Sequence, residues 1–73
     1  MTKQFIVVFQ AYDSYGANAV ITVQAEHVDD IDVWSVGDNL DPSAHNSADW
    51  HIRSRDSGEV LRCSPVAHYS VAP

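Results

Sequence analysis

This 73-residue chain has little of several things, and each shortage excludes a class of protein. It has a single cysteine, Cys63, so no internal disulfide can staple so small a fold. Secreted domains of this size usually depend on such staples, which favours a reducing compartment. Lys and Arg together number four, against ten Asp and Glu, for a formal net charge of -6. General nucleic-acid binding, which needs a cationic surface, is therefore not expected. Three glycines are too few for a phosphate-cradling loop. The longest apolar run near the start is only Phe5–Phe9, far short of a membrane span. Neither a secretory leader pattern nor a glycosylation sequon is recognisable, so a soluble cytoplasmic protein is expected.

What is present suffices for one compact domain. Apolar residues make up 45% and aromatics 10% of the chain, too much for a disordered tail. Residues 4–12 are rich in β-branched and aromatic side chains and read as a strand, with Phe5, Val7, Phe9 and Ala11 on one face and Ile6, Val8, Gln10 and Tyr12 on the other. Turn formers at 13–18 lead to a second strand, 19–25, and thus to a hairpin.

A helix is expected from about Val28 to Asn39, with acids in its first turn and Pro42 beyond its end. Val28, Ile31 and Ser35, with Trp34 beside them, would face the sheet. The β-branched residues and Gly37 keep a strand open as the alternative for Ile31–Val36. After a polar loop at 41–48, residues 49–55 alternate as a half-buried strand. Trp50 and Ile52 point inward there, with His51, Arg53 and Arg55 outward. Asp56-Ser57-Gly58 reads as a tight turn in which Gly58 takes positive φ, and residues 59–63 return as a strand that bends at Pro65 and resumes over 66–71. The expected fold is α+β: a small antiparallel sheet with one helix, in the order β-β-α-β-β.

The charge is uneven. From Glu26 to Asp41 stand six acids (Glu26, Asp29, Asp30, Asp32, Asp38 and Asp41) and no Lys or Arg. On the expected helix, Asp29 and Asp30 share the outer face with Val33, Val36 and Leu40. Carboxylates around apolar anchors suit a basic partner surface; a merely solvated face is the plainer reading. Arg53, Arg55 and Arg62 are expected on one face, in ion pairs with Asp56, Glu59 or acids of the helix.

Catalytic patterns are thin. His27, His45, His51 and His68 fall on different elements, without metal-ligand spacing, and a lone strand histidine is usually a surface residue. Cys63 with His51 and His68 makes only a poor thiol or metal site. Asp30-Ile31-Asp32 starts like a calcium loop, but Trp34 and Ser35 occupy positions that a ligand and a glycine require. No enzyme, cofactor or metal is expected.

Two opening strands (Phe5–Tyr12 and Ala19–Ala25), an Asp-rich helix and a closing hairpin in a short acidic chain resemble, in outline, small phage-encoded inhibitors such as the anti-CRISPR proteins. The resemblance implies binding to a CRISPR effector complex in the host bacterial cytoplasm, on a Lys- and Arg-rich strip that would otherwise hold DNA or guide RNA. Residues 26–41 would then imitate phosphates, without direct nucleic-acid or membrane contact, and a monomer would suffice. Reversing Asp29, Asp30 and Asp32 to Lys is expected to abolish inhibition and spare the fold. The competing expectation is a phage or bacterial accessory protein that self-associates, or binds a partner protein, through a sheet edge, on account of its very apolar first strand.

Overall fold

A computed structural model describes residues 1–10, 17–38 and 49–65, with only the backbone of Asp38. Four strands, β1 (Lys3–Gln10), β2 (Ala19–Ala25), β3 (Asp49–Ser54) and β4 (Val60–Cys63), form one antiparallel sheet in the order β2-β1-β3-β4. A 3-10 turn, Val28–Asp30, and a short helix, α1 (Val33–Asp38), lie between β2 and β3 in the chain. The molecule is a small mixed α+β fold. The expected extensions at residues 11, 12 and 66–71 and the loop at 41–48 lie outside the described residues.

β1 runs through the middle of the sheet. Its period of two sends Phe5, Val7 and Phe9 to one face, where all three are buried. Ile52 of β3 stands opposite Val7, and Trp50 opposite Phe9. Ile31 and Val33 complete this core, with Ile21, Val23, Val36, Trp50 and Leu61 packed around it. The apolar first strand is therefore paired on both sides. It is not the exposed edge that would support self-association.

The single helix expected over residues 28–39 is broken in two. The 3-10 turn ends at Ile31, whose backbone is extended (φ -81, ψ 117), and α1 starts two residues later. Packing explains the break. Ile31 and Val33 are both buried, yet on a continuous helix residues two apart diverge by about 200°. One extended residue lets both reach the sheet. Asp32 then caps the new start: its Oδ1 accepts the N–H groups of Trp34 (3.1 Å) and Ser35 (3.4 Å), and its Oδ2 accepts the Ser35 hydroxyl (3.0 Å). Val28 and Ile31 pack toward the core and Asp29 and Asp30 face outward as expected, but the break reverses the faces expected within α1. Val33 is buried and Val36 half-buried, whereas Trp34 and Ser35, expected against the sheet, are exposed.

The closing hairpin turns through residues 55–58, closed by the Ser54 N–H donating to the Glu59 carbonyl (2.9 Å), and Gly58 has φ +76. A bulge then shifts the register: Ile52 faces Arg62, but Arg53 faces Val60, leaving Leu61 as the extra residue. A bulge disturbs the alternation of side chains, and Leu61 and Arg62 both join the core side. Arg62 is thus separated from Arg53 and Arg55, with which it was expected to share a face. Its Nη1 donates to the carbonyls of Val28 (3.2 Å) and Ile31 (3.3 Å), and its guanidinium lies 5.5 Å from the centre of the Trp50 ring. This cation closes the end of the 3-10 turn, adding a second donor to the Val28 carbonyl, which also accepts the Ile31 N–H (3.2 Å), and one to the Ile31 carbonyl.

Two stability effects follow. Arg62→Leu is expected to lower unfolding stability by about 1.5–3 kcal/mol, the range for hydrogen bonds made by a charged group. Asp32→Ala should remove about 1 kcal/mol, as for other lost N-caps. Urea unfolding followed by tryptophan fluorescence measures both, and unchanged midpoints would refute these roles.

Candidate partner-binding surface

The acidic segment runs from the end of β2 across the 3-10 turn into α1. Glu26, Asp29 and Asp30 are exposed there. Glu26 Oε1 lies 3.9 Å from the Met1 amino group, a contact between two exposed groups that adds little. Asp32 is also exposed, but its carboxylate is engaged in the cap of α1. Asp38 ends α1 with its side chain undescribed, and Asp41 lies outside the described residues. The structure thus places Glu26 and Asp29 on one cleft, leaves Asp30 exposed on the adjoining turn, and gives Asp32 a folding role.

Beside these acids is an open cleft of about 420 Å³ between the end of the β1–β2 hairpin and the turn of the β3–β4 hairpin. Lys3, Glu26, His27, Asp29 and Glu59 contribute its charged and titratable rim, and Phe5, Val28 and Leu61 its apolar lining. Lys3 was not singled out from sequence; it arrives because it stands opposite Ala25 in the register. Farther along, Trp34 is 60% exposed. Among the described residues of the acidic segment the exposed large apolar side chain is therefore Trp34, not Val33, and Leu40 lies outside them.

The arginines do not neutralise these acids. Among the described residues no arginine lies within 4 Å of a carboxylate, contrary to the expected ion pairs. Arg53 Nε donates to His51 Nε2 (2.8 Å), Arg55 donates to the Gln4 side-chain oxygen, and Arg62 donates to backbone carbonyls. All three bond to neutral groups. The Arg62 guanidinium sits on the backbone of this segment, at the carbonyls of Val28 and Ile31, and so moderates the field there without engaging a carboxylate, while Lys3 stands at the cleft rim.

His51 corrects the sequence reading. Expected outward and solvated, it is 2% exposed, on the sheet face away from α1, between Val8 of β1 and Cys63 of β4. Val8 on the same face is buried too, so the centre of the sheet is covered on both sides. Because Nε2 accepts a hydrogen bond from Arg53, the folded protein favours the neutral ring with its proton on Nδ1. Burial, and secondarily the Arg53 charge, push the pKa of His51 below its ordinary 6.5.

His27 is exposed in the cleft rim, and His45 and His68 lie outside the described residues. Among the described residues no three His, Cys, Asp or Glu side chains are grouped to hold a metal ion. No described helix is long and apolar enough to cross a membrane. Comparison with protein-family models, with curated proteins and with solved structures finds no match to this chain.

The histidine makes a signed prediction. A depressed folded-state pKa means that the unfolded chain binds the proton more readily, so stability falls as pH drops below about 6.5 and levels off beneath the folded value. His51→Gln retains an acceptor for Arg53 without titrating. The stability difference between wild type and this variant should shift against wild type from pH 7.5 to pH 5.5. A difference that is flat, or that moves the other way, would refute the buried neutral histidine.

Proposed function

We propose that this protein is a non-enzymatic inhibitor that docks its acidic segment on a basic, nucleic-acid-binding surface of a host defence complex, in the manner of an anti-CRISPR protein, and blocks binding of target DNA. One observation carries the reading: Glu26, Asp29 and Asp30, within five consecutive residues, are all exposed, while the three arginines are bonded to neutral groups of the fold. The described arginines spend their hydrogen bonds on neutral groups, so these carboxylates stay open to a partner's cations. Cationic strips that normally follow a phosphate backbone attract such a cluster at long range, which speeds encounter and makes it salt-dependent. Trp34, exposed three positions after Ile31, supplies the apolar contact that charge alone lacks.

In this reading Glu26, Asp29 and Asp30 make the contact, Asp38 and Asp41 extend the acidic run, and Asp32 holds α1 in place. The site of action is the bacterial cytoplasm, where a CRISPR effector complex presents such a strip. Reversing Asp32 together with Asp29 and Asp30 is no longer a clean test, because it removes the cap of α1 as well as a charge.

The informative variant is Glu26→Lys, Asp29→Lys and Asp30→Lys combined. Purified CRISPR effector complexes, assayed for target-DNA binding by mobility shift, should be inhibited by wild type at low salt and progressively less as salt rises. The triple variant, folded by circular dichroism, should inhibit at least tenfold less. Equal inhibition by the variant, or none by wild type across effector types, would defeat the proposal.

A further inference from the structure

Among the described residues, the two edges of the sheet are built differently. β4 is four residues long, carries the bulge and holds Arg62, all features that discourage pairing with another chain. β2, at the other edge, has seven residues and unbroken register with β1 from Ala19 to Ala25. Its sequence, AVITVQA, contains no charge, no proline and no glycine, and no charged residue occurs from Ala17 to Ala25. Val20, Thr22 and Gln24 are exposed on one face, Val20 to 63%. Natural edges of this length usually carry a lysine, a proline or a bulge.

We propose that β2 pairs antiparallel with β2 of a second copy of this chain, joining two four-stranded sheets into one of eight strands about a two-fold axis at Thr22. Charge selects both the occupant and the direction. Around that axis Val20 meets the partner's Gln24, Ile21 meets the partner's Val23, and Thr22 meets the partner's Thr22. Every directly opposed pair is uncharged, and Ile21 and Val23 extend the apolar layer across the joint. Side chains directly opposite share a face, so both cores lie on the same side. The acidic segments, which would repel in a chain of this net charge, go to opposite ends. Glu26 and its counterpart are separated by about 27 Å along the strands, some three times the ~8 Å screening length at physiological salt. Parallel pairing would set Glu26 beside its own copy. Two-fold isologous contacts of this kind are the common route to a closed dimer. The proposal is independent of the docking described above, which one copy performs alone.

The test is a charge swap at the axis. Thr22→Lys and Thr22→Glu each place like charges opposite one another, whereas mixing the two variants pairs opposite charges. Sedimentation equilibrium from roughly 10 µM to 1 mM, the range where contacts smaller than a standard interface associate, should show wild type dimerising. Each variant should associate at least tenfold more weakly, and the equimolar mixture should recover a heterodimer. Far-UV circular dichroism and thermal melting establish that both variants fold. Wild type that stays monomeric at 1 mM would overturn the proposal and leave the edge to a strand of another protein or to none. Variants that associate like wild type, or a mixture no stronger than its components, would overturn it equally.

Discussion

The guanidinium of Arg62, held between the Trp50 ring and the carbonyls of Val28 and Ile31, is the contact on which the arrangement of this protein turns. It ties the last strand to the segment that crosses the sheet, and thereby sets where Asp29 and Asp30 emerge. Hydrophobic burial of Ile31 and Val33 supplies attraction but little direction. Hydrogen bonds from a planar cation to two carbonyls supply the direction. Arg62 reaches them because the extra Leu61 shifts the register of β4. One inserted residue thus places the acidic surface.

Much of the sheet was legible in the sequence. Residues 5–9 and 19–25 are short runs dense in β-branched and aromatic side chains (Ile6–Val8 between Phe5 and Phe9, and Val20–Val23), and such runs bounded by turn formers decide strands. Gly58 marked the final turn because few other residues adopt its φ comfortably. The helical segment was misjudged for a physical reason. Its apolar positions suit a helix only if Ile31 and Val33 need not be buried together, and no local rule foretells that both are. Asp32-Val33-Trp34-Ser35 could have been recognised as a second helix start, since an aspartate followed three residues later by a hydroxyl suits an N-cap. Neither the bulge nor the burial of His51 could have been read, because each depends on tertiary packing rather than on neighbours in the chain.

Of the candidate surface, the composition was legible and the geometry was not. The sequence located the acids but placed Val33 among them, where the fold puts Trp34 instead. It also counted the arginines as partners for carboxylates. In the structure they serve His51, Gln4 and the backbone; Arg62 lies beside the 28–31 segment and moderates its field, but no described arginine closes an ion pair with the acids there. Net charge alone would not distinguish these situations; the bonding of each cation does.

The central position of β1 also bears on how the chain comes together. Each hairpin, β1 with β2 and β3 with β4, joins strands adjacent in sequence, whereas the β1–β3 seam pairs Val7 with Ile52 across most of the chain. The entropy of loop closure therefore falls chiefly on that one seam. During synthesis the most apolar strand has a partner on one side only until β3 leaves the ribosome, and the interval between those two events is when the protein is most open to misassembly.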